Sequence, residues 1–248
     1  MIKIFRKIRQ NLLSQGKFKQ YLLYAIGEII LVVIGILIAL QISNWNEEKK
    51  EREKELAFLK EINLDFKSNK AQLDSIISYN KVSLHAGRRL LEIMSLFDHQ
   101  NPQRNESNAH AADSIGYYDN LVWRNKTFNP KDGSIEALLN SSSFDLIKND
   151  TLRRNLISWK DVLGDYLEEE EFAINFLFYE RGPWARANFD PDSKNDSENT
   201  KAMFSKNNRN FLNQRAGDLF NNLTTVEEEG VITMIDEIIR LTEPKDND

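Results

Sequence analysis

The chain has 248 residues, no cysteine, 33 Lys and Arg against 38 Asp and Glu, and a formal net charge of −5. The lack of cysteine excludes a disulfide framework and thiolate metal sites. Residues 1–46 hold six of the basic residues and one of the acidic residues, so residues 47–248 carry a net charge of −10. This acidic balance disfavours nucleic acid as a partner.

The first twenty residues form a basic arm. Six Lys and Arg and no acidic residue occur in it, and Ile4, Phe5, Ile8 and Leu12 recur at helical spacing. The pattern is typical of an amphipathic helix that lies on a membrane and meets anionic lipid headgroups. The alternative is a short frayed helix that only supplies positive charge.

Residues 21–45 are predicted to form a transmembrane helix. The sequence over residues 21–42 is YLLYAIGEIILVVIGILIALQI, in which Glu28 is the one charged residue. A run of about 20 apolar residues matches the hydrocarbon core of a bilayer, and a helix satisfies its own backbone groups there. Tyr21 and Trp45 stand at the two ends, where amphipathic rings favour the lipid–water interface. The stretch is longer than that of a secretory signal, and no small-residue cleavage pattern follows it.

Charge gives the expected orientation of this anchor. The basic arm favours a cytoplasmic N-terminus, which puts the C-terminal part in the periplasm and the anchor in the inner membrane. Lys49, Lys50, Arg52 and Lys54 on the other flank weaken the bias, because the rule counts Lys and Arg rather than net charge.

One face of the anchor carries a packing signal. Glu28, Gly35 and Ala39 fall nearly in line at about 100° per residue, and Gly35-x-x-x-Ala39 lets two helices approach closely. We therefore expect contact with the bilayer and with a second copy or another membrane protein. The alternative is that Glu28 reaches toward the headgroups and the small residues are incidental.

The remaining residues, 46–248, predict an all-α domain that resembles an antiparallel helical bundle. A helix over about 47–98 has one apolar face at intervals of three, four and seven. Its members are Leu59, Ile62, Phe66, Leu73, Ile76, Ile77, Leu84, Leu91, Met94 and Phe97. A polar loop over 100–112 and a short helix over 113–126 follow. Next come a turn at 129–133 and a helix from its N-cap Ser134 to Asn140.

The clearest helix of the domain is capped by Asn149 or Asp150. It is predicted to end at Gly182-Pro183, because glycine and proline are stop signals. A mobile loop is expected over 186–205, since residues 190–200 are strongly polar. Two closing helices follow, 206–222 and 225–243, and Thr225 with Glu228 makes a capping box for the second.

The usual signatures of catalysis and metal binding are missing from the sequence. His85, His99 and His110 form no H-x-x-x-H pair, and no Gly-rich phosphate loop or nucleophile elbow occurs. The run 190–196 fails as a calcium loop, because Lys194 takes a ligand position. The run 168–171 lacks the Glu-x-x-His pattern of di-metal bundles and is interpreted as a solvated helix face. No catalytic, cofactor-binding or metal-binding residue is therefore predicted, and the chain is not expected to be an enzyme.

Aromatic and basic residues crowd around Gly182-Pro183. Tyr179, Arg181, Trp184 and Arg186 can form an interaction cluster for a planar or anionic ligand or for a partner protein. They can equally close the core at the end of a helix, which is the more common arrangement.

The first fifty residues resemble a family of small bacterial membrane proteins, known chiefly from bacteroidetes and filed as a domain of unknown function. The matching strings are FRKIRQNLLSQGKFKQ and YLLYAIGEIILVVIGILIALQISNWNEE. The resemblance implies one N-terminal anchor and a mainly helical domain, and it carries no catalytic or binding residues.

These features favour a membrane-anchored helical module that binds a ligand or partner outside the cytoplasm. A receptor-like sensory domain that signals through a partner is the alternative, although about 20 residues on the cytoplasmic side leave no room for an output domain. An enzyme with an unrecognised site is a third possibility.

Overall fold

The computed structural model of the chain describes residues 18–96, 114–190, 196–228 and 230–244. Every regular element in these ranges is helical, which confirms the all-α prediction for them. The α-helices are α1 (Phe18–Leu96), α2 (Ile115–Val122), α3 (Gly133–Leu139), α4 (Asp150–Asn175), α5 (Gly182–Asn188), α6 (Asp196–Met203), α7 (Lys206–Glu228) and α8 (Val231–Thr242). A 3₁₀ turn, Phe144–Leu146, precedes α4, and a π-helical turn, Phe176–Arg181, joins α4 to α5. Residues 1–17 of the basic arm, Phe97, His99 and His110 lie outside the described residues.

The chain divides into two compact units, Met1–Leu56 and Ala57–Asp248. In the first unit, α1 exposes the large apolar side chains from Leu22 to Ile42. By length and composition this stretch is able to cross a membrane, and none of its most apolar 18-residue window is buried. A core helix of a soluble domain would have most of such a window covered by neighbouring elements.

The main core of the second unit brings together helices that are far apart in the sequence. Ile62 and Phe66 of α1 are fully buried against α4 and α8, and the rings of Phe66 and Trp159 lie 4.9 Å apart in an edge-to-face arrangement. Phe128, from the irregular segment before α3, is part of the same cluster. The apolar face predicted for residues 59–94 is therefore the face that α1 buries.

Helix α7 completes two smaller clusters along α1. Its Leu219 packs with Leu84, and its Leu212 packs with Met94. Lys81 forms an ion pair with Glu227. Lys81 precedes Leu84 and Met94 in α1, whereas Glu227 follows Leu219 and Leu212 in α7. Because contact positions rise on α1 as they fall on α7, the two helices are antiparallel, as predicted for a bundle.

Side chains of α1 hold the irregular segment 124–132 in place. Asn69 donates to the carbonyl of Lys131 at 2.8 Å and accepts from its N–H at 2.7 Å. Gln72 accepts from the N–H of Asn129 at 3.0 Å. These side-chain amides pair with backbone groups that have no partner in a regular helix or strand.

The predicted helix end at Gly182-Pro183 is wrong. The chain stays helical through the π turn into α5, and Pro183 lies in the first turn of that helix. Proline is tolerated there because the N–H groups of a first turn have no intrahelical acceptor. The irregular stretch of helix, the π turn, thus lies before Gly182 and not after it.

Two cap predictions are also wrong, whereas that for Asn149 is confirmed by its hydrogen bond from the N–H of Leu152. Thr225 lies inside α7 and is buried, and the break falls at Gly230, whose φ of 95° suits glycine. The N-cap position of α3 is occupied by Asp132 and not by Ser134.

Much of the loop expected over 186–205 belongs to α5 and α6. Residues 191–195 lie outside the described ranges.

Candidate functional site

The predicted packing face of the apolar helix lies on the surface of the first unit. Glu28 is half-buried, and Gly35 and Ala39 are exposed. All three residues lie within about 40° of one another around the helix axis. An added Cβ at Gly35 would meet nothing within 4 Å. Tyr21 is half-buried and Trp45 is 65% exposed. The face is open to a second helix on steric grounds.

Arg181, from the predicted interaction cluster, is buried in an aromatic cage. Its guanidinium carbon lies 4.2 Å from the ring centroid of Trp123, 5.0 Å from that of Trp184 and 5.5 Å from that of Phe189. Burial lowers the pKa of Arg181, and the charge of Asp119 opposes this fall. The cage is therefore a built cation–π arrangement inside the domain.

Asp119 belongs to the same arrangement. Its Oδ1 accepts from the indole N–H of Trp123 at 2.7 Å. Burial raises the pKa of Asp119, while the bond from Trp123 and the charge of Arg181 lower it. Sequence patterns could not reveal these partners of Arg181, because they lie about sixty positions earlier in the chain.

The structure does not gather the four predicted cluster residues in one place. Arg181 and Trp184 meet in the cage, whereas Arg186 is exposed and Tyr179 is 77% exposed. Tyr179 and Arg181 lie in the π turn, whereas Trp184 and Arg186 lie in α5. The turn fits closely against α5: a Cβ on Gly182 would lie 2.9 Å from the carbonyl oxygen of Leu177. The core-closing interpretation therefore holds for Arg181.

A groove that the sequence did not reveal runs between α4 and α7. It consists of two adjoining cavities of about 600 Å³ and 580 Å³, which share Phe172, Asn210 and Gln214. The first cavity is also lined by Glu169, Asn213, Gly217, Asp218 and Asn221. The second is also lined by Asn175, Phe176, Tyr179, Glu180 and Phe211. Amide, carboxylate and aromatic side chains thus line one continuous surface.

The run 168–171, interpreted from the sequence as a solvated face, is divided between three environments. Glu168 and Glu171 are exposed, Glu169 lines the groove, and Glu170 is buried. Both carboxylate oxygens of Glu170 accept from the N–H of Phe128, at 3.0 and 3.1 Å, and one accepts from the hydroxyl of Tyr166 at 3.0 Å. The solvated-face interpretation is therefore wrong for Glu170.

Asp218, which lines the groove, and Arg215, which does not, form a second buried polar group. The guanidinium of Arg215 donates to the carbonyls of Val122 and Arg124 at 3.2 and 2.7 Å. Oδ1 of Asp218 accepts from the side chain of Gln214 at 2.8 Å, and its Oδ2 is buried without a partner among the described atoms. Within the described ranges, no three His, Cys, Asp or Glu side chains are grouped so that they could hold a metal ion.

Comparison with known proteins gives one result. A family of unknown function, DUF6090, matches residues 28–156, which is just over half of the chain. The match begins at Glu28 within the apolar helix and ends in the first part of α4, before the groove. No curated protein and no solved structure matches the chain.

Proposed function

The chain belongs to the DUF6090 family of unknown function, and we propose that it is a single-pass membrane protein whose helical domain binds a ligand or partner. The observation that supports this role is the uncovered apolar stretch of α1 in the same chain as a domain with an open groove. Apolar surface on this scale is costly in water and is stabilised by lipid. The proposed role is binding without catalysis.

The proposed topology follows from the basic arm. An anchor in the inner membrane with its N-terminus in the cytoplasm puts residues 46–248 in the periplasm. The resemblance of residues 2–50 to bacteroidete membrane proteins supports the single N-terminal anchor.

Single cysteines at the two sides of the anchor test this topology, since the chain has no cysteine of its own. We would compare Ser14→Cys with Ser78→Cys, an exposed position on α1, by labelling with a membrane-impermeant maleimide. Once the outer membrane of a Gram-negative host is permeabilised, we expect Ser78→Cys to react and Ser14→Cys to react only after lysis. The chain should also stay with the membrane through alkaline carbonate washing.

The opposite labelling pattern would place the domain in the cytoplasm and would overturn the proposed topology. Release of the chain by carbonate would overturn the anchor itself.

The anchor is further proposed to pack against a second copy through Glu28, Gly35 and Ala39. We expect Gly35→Leu to weaken disulfide-free chemical crosslinking of the dimer in membranes about tenfold, because the larger side chain holds the helices apart. Gly27→Leu is the matched control: Gly27 lies about 80° around the helix. An added Cβ at either glycine meets nothing within the chain. Equal crosslinking of both variants would exclude this face as the contact.

A further inference from the structure

The groove between α4 and α7 has the charge of a site for a cation. Glu169 and Asp218 line one cavity and Glu180 lines the other. None of the described residues that line the two cavities is Lys, Arg or His. Arg215 is the nearby cation, but it is fully buried and its guanidinium donates to two backbone carbonyls. An anionic ligand is therefore disfavoured here.

Asp218 supplies a second and independent indication of a ligand. The residue is 4% exposed and lines the first cavity, yet its Oδ2 has no hydrogen-bond partner among the described atoms. A buried carboxylate oxygen without a hydrogen-bond donor destabilises the folded state. Burial raises the pKa of Asp218, and the charges of Glu169 and Glu180 add to that rise, although Gln214 and Arg215 oppose it. A cation in the groove would offset the repulsion among these three carboxylates.

Exposed rings in the groove fit the same kind of ligand. Phe172, which lines both cavities, is 59% exposed, and Tyr179 is 77% exposed. The face of an aromatic ring attracts an ammonium group and packs against its alkyl stem. Amides of Asn210, Asn213 and Gln214 add hydrogen-bond acceptors beside the rings.

We propose that this groove binds a primary ammonium group on an aliphatic chain, with Glu169 and Asp218 as its anionic partners and Phe172 as its aromatic wall. The group is supplied either by a free polyamine or by a lysine side chain of a partner protein. The inference deepens the proposed binding role and rests on it. It concerns residues outside the segment matched by the family.

Binding of spermidine to the full chain in neutral detergent tests the proposal. We would measure it by isothermal titration calorimetry at low ionic strength, for the wild type and for the double variant Glu169→Gln/Phe172→Leu. Loss of one ion pair and one cation–π contact is expected to weaken binding about tenfold. Added salt at about 0.5 M should weaken wild-type binding as well, since the groove is open to solvent.

The double variant Glu168→Gln/Phe178→Leu is the matched control. Both residues are exposed on the same stretch of chain and line neither cavity. We expect it to bind spermidine as the wild type does. Equal weakening in the two double variants would show general attraction to an acidic surface and would overturn the site.

A capped peptide of alternating alanine and lysine separates the two sources of the ammonium group. Tighter binding of spermidine identifies a free polyamine, and tighter binding of the peptide identifies a lysine side chain. If neither binds at low ionic strength, the proposal is overturned. The detergent measurement does not depend on the orientation of the anchor, so its failure is distinguishable from a failure of the labelling experiment.

Discussion

Replacement of Arg215 by Ala is expected to lower the free energy of unfolding of the domain by about 4 kcal/mol. The side chain is fully buried and donates to the carbonyl of Val122, the last residue of α2, and to that of Arg124, two residues farther on. Helix C-terminal carbonyls lack intrahelical donors and carry partial negative charge. The substitution leaves those carbonyls without these donors, removes the positive charge that opposes the rise in the pKa of Asp218, and opens a cavity.

Burial lowers the pKa of Arg215 to about 10, so the residue remains charged at neutral pH. The variant Arg215→Met keeps most of the side-chain volume and removes the charge. Arg215→Met should therefore lose less stability than Arg215→Ala, and the difference is the cost of the cavity that Ala leaves. The free energy of unfolding of natural domains is only about 5–15 kcal/mol, so Arg215→Ala can fail to fold. In that case Arg215→Met still provides the test.

Urea unfolding of the full chain in neutral detergent, followed by tryptophan fluorescence, measures the effect. Arg209→Ala is the control, since Arg209 is exposed and makes one long hydrogen bond, 3.4 Å, to the carbonyl of Met94. Its expected loss is below about 1 kcal/mol. Comparable losses for Arg209→Ala and Arg215→Ala would show that the buried guanidinium contributes nothing special.

Glu170 is expected to produce the second large effect, and its effect depends on pH. Glu170→Ala should lower the free energy of unfolding by about 3 kcal/mol, because the buried N–H of Phe128 and the hydroxyl of Tyr166 lose their acceptor. Glu170→Gln keeps an acceptor of nearly the same shape and should cost about 1 kcal/mol or less at neutral pH.

Burial raises the pKa of Glu170, although the hydrogen bonds from Phe128 and Tyr166 oppose the rise. The folded state therefore holds the proton more tightly than the unfolded state does. Its stabilising contribution is complete below the ordinary glutamate pKa of about 4.3 and is lost as the pH rises through the folded value. We expect Glu170→Gln to flatten this fall of stability with pH.

Unfolding curves at several pH values between about 4 and 7.5 give the comparison. The exposed Glu168→Gln serves as control and should keep the wild-type slope. If the free energy of unfolding of Glu170→Gln changes with pH as steeply as that of the wild type, Glu170 has the same pKa in the folded and unfolded states, and the prediction is wrong.

Local patterns predicted much of the helical architecture. The intervals between apolar residues identified the buried face of α1, including Ile62, Phe66 and Leu73. The start of α4 was predictable because an N-cap acts on N–H groups two or three residues away. Signals of this kind lie within one or two turns of helix, and one sequence contains them directly.

Interactions across the fold were not predictable in the same way. The clamp of Asn69 on Lys131 joins residues 62 positions apart, and the acceptor role of Glu170 for Phe128 joins residues 42 positions apart. Nothing in the pattern of residues 168–171 distinguishes the one carboxylate that the fold buries. The groove depends on the side-by-side placement of α4 and α7, so its residues could not be grouped from their spacing.

Local stop signals failed where tertiary packing decides the outcome. Gly182-Pro183 and Thr225 both have the residue types of helix ends, yet α5 begins at Gly182 and α7 continues past Thr225. Pro183 is accommodated by the first turn of a new helix, and Thr225 is retained within a buried helix. Residue preferences of about 1 kcal/mol are smaller than the packing free energy of a whole helix face.

Helix α7 contributes to all three apolar clusters that the described residues of the second unit form: Val226 to the main cluster, Leu212 to the second, and Leu219 and Leu223 to the third. Detachment of α7 would therefore expose all three clusters together, and its amide hydrogens should exchange with solvent only through global unfolding. One wall of the groove is thus already rigid in the free protein. A ligand that enters the groove meets side chains on an ordered backbone, so little conformational entropy of this wall is lost on association.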